Sequence, residues 1–320
     1  MEIGHAIVVA DAAKLTEGDW QELRHKSIGS SDAAGIMSMG RYGSPYKTWE
    51  VKTGKRVIKQ NFLMQLGHVM EPLILSLAAE ELGLEVVKPD LVLAHPDHPL
   101  LTCNLDGLGL HPLDKPVIVE AKHAGSYLKK ELRAWQDTGE VEEGTATEGW
   151  WVQVQFQMLV TGLERAHLAA LCDKDFFLIP ISANPSIQDT MVGMLPGWFE
   201  THVTADIEPA VGGRDGDVVA ERFPLGHEEE IVNMDAVMDD IVLARKFKDE
   251  IKSLKRELAE LDVRIKNHLG AGGTGVFDGE QVINSYSMER KAVDYRVLFT
   301  EHPEIYYKVV STKSSRQYRY

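Results

Sequence analysis

Cysteine is scarce in this sequence: Cys103 and Cys172 are the two in 320 residues. They form no CxxC pair and cannot hold an iron–sulfur cluster or a four-cysteine zinc site. Both lie in apolar, strand-like runs and read as buried free thiols. The twelve histidines include no HxxxH or HExxH pair, so a helical zinc-hydrolase site has no support. No apolar run approaches the length of a membrane span, and the N-terminal "MEIGHAIVVADAAKLTEGDW" has no basic stretch ahead of an apolar core. The chain reads as intracellular. Internal repeats and long low-complexity segments are also missing.

Positive charge is in deficit. Thirty-four Lys and Arg stand against 49 Asp and Glu, a net charge of −15. That argues against broad, non-specific binding to polyanions. The balance is uneven: residues 284–320 are net +3, which leaves the remainder at −18. A nucleic-acid substrate stays open where contact is local or where cations neutralise an acidic site. Hydrophobic content of 44% and charged content of 26% are ordinary for a globular protein, and the length supports one large domain with appendages.

Residues 19–40 read as a helix, a turn at Ile28-Gly29-Ser30-Ser31, and a second helix capped at Ser31 or Asp32. Ser44-Pro45 starts another helix that Gly54 stops. Residues 66–83 have helical apolar periodicity, with Pro72 expected in the first turn or at a kink beside Glu71. "LEVVKPDLVLAHP", 101–110 and 116–122 read as strands, the last two joined by the turn "HPLDKP". "WWVQVQFQMLVTG" (150–162) fits either a strand, by its alternation, or a helix ending at Gly162. Residues 167–181 read as a hairpin turning at Asp173-Lys174-Asp175. From about 228, a 3-4 apolar repeat including Ile251, Leu254, Leu258, Leu261 and Ile265 predicts a long helix or helical hairpin with coiled-coil character, packed within the chain. The tail reads as short strands around Asp278-Gly279 and "YYKVVS". Trp20, Trp150 and Trp151 read as core residues.

The chemistry concentrates in "LTCNLDGLGLHPLDKPVIVEAKHA", residues 101–124. A hairpin centred on Leu113 sets Asp106 opposite Glu120, with Cβ atoms about 5 Å apart. Lys122, two residues on, shares that face. Two adjacent carboxylates repel, and burial raises the cost; a divalent hard cation such as Mg²⁺ relieves both. The lysine is then placed to orient a water nucleophile or to stabilise charge on a phosphate. Gly107 and Gly109 suit a place where another backbone, protein or DNA, comes close. Taken alone, Glu-x-Lys is equally what a surface ion pair on a strand edge shows.

Asp106-Gly107 followed by Glu120-Ala121-Lys122 resembles the core motif of PD-(D/E)XK nucleases. "WQELRHKSIGSSDAAGIM" (20–37), "GHVMEP" (67–72) and "QVQFQMLVTG" (153–162) narrow the resemblance to the YqaJ-like viral recombinase family, which includes phage lambda-type exonucleases. The similarity covers about residues 19–185. It implies that Asp106, Glu120 and the Ala121 carbonyl bind a metal, that Glu71 completes the metal site, that Lys122 positions the attacking water, and that Gln155 supports the nucleophile. Arg24 and Ser31, with Ser30 beside them, match positions that grip a terminal 5′-phosphate. Asn104 stands where the lambda-type enzyme has a phosphate-binding serine, and Leu105 replaces the motif's proline.

The implied fold is α/β, a restriction-endonuclease-like core with a central mixed β-sheet flanked by helices. The expected organisation is a nuclease core over 1–227, a long helix or hairpin over 228–270, and a strand-rich tail over 271–320 completing the domain. The implied activity is Mg²⁺-dependent 5′→3′ digestion of linear duplex DNA, with Mn²⁺ able to substitute, leaving 3′ single strands for recombination by annealing. The implied partners are double-stranded DNA ends, a single-strand annealing protein, and further copies of the chain in an oligomer such as a trimer. The implied setting is the cytoplasm of a bacterial cell, with a phage or prophage origin. Alternatives are another nuclease of this fold, an endonuclease or one of opposite polarity, and a non-catalytic scaffold that binds DNA ends.

Overall fold

In the computed structural model, residues 2–111, 115–225, 231–285, 287, 289 and 292–311 are described. The elements run β1 (Ile7–Asp11), α1 (Glu17–Lys26), β2 (Ile28–Gly29), α2 (Ser30–Ile36), α3 (Pro45–Lys52), α4 (Phe62–Leu82), β3 (Glu85–Val87), β4 (Leu91–Ala94), β5 (Leu101–Cys103), β6 (Gly107–Leu110), β7 (Val117–Ala124), α5 (Lys129–Thr138), α6 (Ala146–Thr161), β8 (Arg165–Cys172), β9 (Asp175–Ser182), α7 (Pro185–Phe199), α8 (Gly216–Arg222), α9 (Met238–Leu269), β10 (Thr274–Phe277), β11 (Glu280–Asn284), α10 (Tyr295–Glu301) and α11 (Pro303–Val309). The chain forms two compact units that divide between Val218 and Val219, ahead of the boundary drawn at residue 227 from sequence texture.

In the first unit, a five-stranded mixed sheet has the order β3-β6-β7-β8-β9, and a four-stranded sheet has the order β1-β4-β5-β2. Strands β7 and β8 are parallel; the other pairs in the larger sheet are antiparallel. This is the expected mixed sheet with flanking helices. One face of β7 and β8 packs Val119 and Ala169 against Ile74 and Ala78 of α4. The main core includes Ile118, Leu168, Val152, Phe156 and Val160, so α6 is largely buried. Each of those side chains, fully withdrawn from water, contributes roughly 1.5–3 kcal/mol. Burial on most sides explains why the 150–162 pattern fitted two periods: an all-round apolar helix loses its own signature. Trp150 and Trp151 pack against this core, and Trp20 is half-buried.

Several expectations shift. The second helix begins at Ser30, not after a Ser31 or Asp32 cap; Asp32 instead accepts the Gly29 N–H at 2.8 Å. Helix α4 starts at Phe62, where Asn61 accepts the Met64 N–H at 3.0 Å, so Pro72 lies inside the helix rather than in its first turn. With 21 residues it is long and apolar enough to cross a membrane by length and composition, against the expectation that no apolar run approaches that length; Ile74 and Ala78 are its buried residues, and most of its surface is exposed. The 101–110 run is not one strand: β5 and β6 belong to different sheets, and Asn104-Leu105-Asp106 carries the chain between them. The turn centred on Leu113 lies outside the described residues. The β8–β9 hairpin forms as expected, with Asp173 at positive φ. Cys103 and Cys172 are buried free thiols.

In the second unit, α9 is one continuous helix of 32 residues rather than a hairpin. β10 and β11 pair across Asp278-Gly279, both at positive φ. The strand expected at Tyr306–Ser311 is a helix for most of its length. Pro303 starts α11 at a position that needs no N–H, and Phe299 of α10 packs on Tyr306 and Tyr307 with ring centroids 5.0 and 6.0 Å apart. The tail is a hairpin followed by two helices, not strand-rich throughout.

Candidate active site

Strands β6 and β7 pair Gly107 with Val119 and Leu108 with Ile118. Continued by one residue, this register sets Asp106 abreast of Glu120, as the hairpin reading requires. Asp106 sits just before β6, and its carboxylate accepts the Ala121 N–H at 3.0 Å. It takes the place of the next strand residue in the ladder. In extended backbone a residue's N–H and C=O leave the same edge, so the Ala121 carbonyl also faces the side where β6 ends. Gly107 and Gly109 give room to side chains rather than to another backbone: a Cβ at Gly107 would come within 2.7 Å of Leu75, and one at Gly109 within 2.8 Å of Val117.

Glu120 is 1% exposed and fully engaged. Lys122 Nζ ion-pairs with Oε1, which also accepts Gln153 Nε2 at 2.6 Å; Oε2 accepts Gln157 Nε2 at 2.7 Å. Gln153 Oε1 accepts from Lys122 at 3.1 Å. Gln153 and Gln157 are one helical turn apart on α6 and face β7 together. Gln155 does not. It points away, donating to the Ser182 carbonyl and accepting the Asn184 N–H, each at 2.8 Å. Gln155, expected to support the nucleophile, does not reach this centre; Gln153 and Gln157 do. Gln-x-Gln-x-Gln held the signal, but a strand would put all three on one face, and only a helix turns Gln155 away from the outer pair.

The electrostatics are those of crowded acid. Burial first, then the Glu120 carboxylate, push Asp106 up to about 7. Burial alone would lower the Lys122 ammonium, but Glu120 and Asp106 outweigh it and hold the group above its ordinary value. Lys122 therefore stays charged at neutral pH. Glu71, on α4, is close enough to act on both Asp106 and Lys122, and it accepts Lys88 Nζ at 2.7 Å. Lys88 had no sequence signal.

A hard divalent cation fits by donor chemistry: Asp106, Glu120 and Glu71 with the Ala121 carbonyl form an all-oxygen set. Among the described residues no three His, Cys, Asp or Glu side chains are placed to hold a metal ion; Lys122 ion-pairs with Glu120, and Lys88 with Glu71. Gln157 Oε1 is a buried acceptor without a partner beside Glu120, so the site has unused polar capacity.

The remaining candidates lie where α1, α2 and α3 meet. Arg24 is half-buried at the end of α1; Ser30 is buried and Ser31 exposed at the start of α2. Lys52 of α3, 3% exposed, donates to the Arg24 carbonyl at 2.7 Å and ion-pairs with Asp32 at 2.5 Å. β2 runs parallel to β5, and Thr102 donates to Ser27 at 2.9 Å. Asn104 is different: its amide already donates to the Leu91 carbonyl at 3.0 Å, tying down the loop.

The segment that carries these features, residues 19–164, matches the YqaJ-like viral recombinase domain. It holds Arg24, Glu71, the Asp106–Lys122 centre and all three glutamines. The full chain is 24% identical to the uncharacterized protein YqaJ of Bacillus subtilis (strain 168), over 98% of this chain and 97% of the relative. Among solved structures it is similar to an alkaline exonuclease (LHK-Exo) from Laribacter hongkongensis, with 18% identity, a TM-score of 0.47, and coverage of 60% of this chain and 94% of that one. It is also similar to a phage related exonuclease from Haemophilus somnus 129PT, with 12% identity, a TM-score of 0.40, and coverage of 59% and 100%.

Proposed function

We propose that this YqaJ-like chain is a PD-(D/E)XK exodeoxyribonuclease that digests one strand of linear duplex DNA from its 5′ end. The observation that carries the reading is the buried Asp106–Glu120–Lys122 centre, with Gln153 and Gln157 holding Glu120. Asp106, Glu120 and the Ala121 carbonyl, with Glu71, are the residues that hold Mg²⁺ or Mn²⁺. A bound divalent cation supplies the positive charge that lets adjacent carboxylates ionise together and polarises a phosphodiester.

The protein's own groups divide the remaining work. Gln153 and Gln157 fix the Glu120 rotamer, so the carboxylate needs no reorganisation when substrate arrives. Lys122, held as an ammonium, donates: it orients a water for in-line attack and faces the negative charge that grows on the phosphate. It does not act as a general base while charged. Arg24, with the hydroxyls of Ser30 and Ser31, receives the terminal 5′-phosphate, since guanidinium forks match phosphate oxygens. The reading places the enzyme upstream of a single-strand annealing protein, which takes up the 3′ strand left behind.

The test is nucleotide release from linear duplexes with and without a 5′-phosphate, in Mg²⁺, by the native protein and by Glu120→Ala. Release that is Mg²⁺-dependent, faster from 5′-phosphorylated ends and lost in the variant is expected. No release, or equal loss from 5′ and 3′ ends, refutes the reading.

A further inference from the structure

Helix α9 has no buried residue over its 32-residue length. Its apolar side chains nonetheless form one line. Ile251, Leu254, Leu258, Leu261 and Ile265 follow a 3-4-3-4 step and are exposed at 50%, 63%, 59%, 46% and 49%. Those are the a and d positions of a two-stranded seam, with Ile251, Leu258 and Ile265 at a and Leu254 and Leu261 at d. A stripe of this kind, exposed along a long helix, is stable when it is covered.

The charges beside the stripe specify the cover. One flank carries Lys255 and then Asp262; the other carries Glu257 and then Arg264. Each flank has one charge of each sign, in opposite order. A second α9 laid antiparallel, with Leu258 against the partner's Leu261, sets Lys255 against the partner's Asp262 and Glu257 against the partner's Arg264. By symmetry each pair occurs twice. The same register stacks Leu254 on the partner's Ile265. A parallel pair in register instead sets Glu257 near the partner's Asp262, like against like. An antiparallel pair moved by one heptad sets Lys255 and Glu257 against their own copies. Asp262 now takes Lys266 of its own helix at 3.1 Å, an exposed pair that costs little to exchange.

We infer that α9 is a self-association surface, and that two copies of this chain join through it as an antiparallel two-stranded coiled coil. The inference does not depend on the nuclease reading.

Full-length protein tests this by sedimentation. Leu258→Lys is expected to halve the mass of the assembly, with circular dichroism unchanged to show that the fold persists. Lys255→Glu reverses two symmetry-related pairs and should weaken association about tenfold, and adding Asp262→Lys should restore it. Orientation is read by oxidation. Leu258→Cys mixed with Leu261→Cys should give a covalent dimer, and Leu258→Cys alone should not; the native cysteines are buried. An assembly state that Leu258→Lys leaves unchanged, including a monomer at all concentrations or a trimer, overturns the inference. So does efficient cross-linking of Leu258→Cys alone.

Discussion

Gln157 donates its side-chain amide to Glu120 at 2.7 Å, and neither side chain is more than 1% exposed. Two residues away, Gln155 is equally buried but bonds to the backbone at Ser182 and Asn184. Replacing each by leucine should separate chemistry from scaffold. Gln157→Leu frees one Glu120 oxygen at the centre and should lower nuclease turnover at least about tenfold, the scale of one lost positioning contact. Gln155→Leu removes two part-buried hydrogen bonds, to the Ser182 carbonyl and from the Asn184 N–H, and should cost about 1–3 kcal/mol in chemical denaturation, roughly 0.5–1.5 for each bond, with turnover close to native below the melting range. Similar turnover in the two variants would sink the assignment.

Asp106 gives a pH prediction for the metal-free protein. Its folded pKa, about 7, lies above the ordinary 3.8. Between these values the unfolded chain releases the proton while the folded chain keeps it, so stability falls as pH rises from about 4 to 7 and is then level. Asp106→Asn removes that penalty and can still accept the Ala121 N–H. With chelator present, its melting temperature should exceed the native value at pH 8 by a few degrees. The difference should shrink as the pH is lowered toward 4. A constant difference across that range would show that the carboxyl does not titrate there.

Glu120→Ala should abolish DNA degradation and also destabilise. It leaves Lys122 without its ion-pair partner in a largely buried place, a change worth about 3–5 kcal/mol. The double variant Glu120→Ala, Lys122→Met removes the orphaned charge and should recover part of the loss in urea unfolding, though no activity.

Arg24→Ala should lower the preference for 5′-phosphorylated ends while leaving slow release from unphosphorylated ends. Competition between the two substrates reads this directly. Lys52→Met should instead unfold the protein more easily, by about 3–5 kcal/mol, because Asp32 is left buried beside the Gly29 N–H without its cation. An Arg24→Ala protein with unchanged end preference would remove Arg24 from the phosphate site.

The sequence by itself determined what is local. Ser44 caps a helix, Gly83 and Gly162 end helices, and Asp278-Gly279 turns a hairpin, because each acts on its own few residues of backbone. It also determined the Asp106–Glu120 register: alternation along two strands allows no one-residue slip without turning the core outward. Tertiary structure decided the rest. Whether Gln153, Gln155 or Gln157 meets Glu120 depends on 150–162 being a helix, and burial on most sides had erased the period that would say so. Lys88 reaches Glu71, and Asn104 donates to the Leu91 carbonyl, through contacts between segments that share no local pattern. The aromatic run at Tyr306 and Tyr307 has the composition of a strand and became helix because Pro303 and Phe299 offered it a start and a packing partner. Spacing and capping are readable along the chain; the choice among chemically equal neighbours is made by what lies across from them.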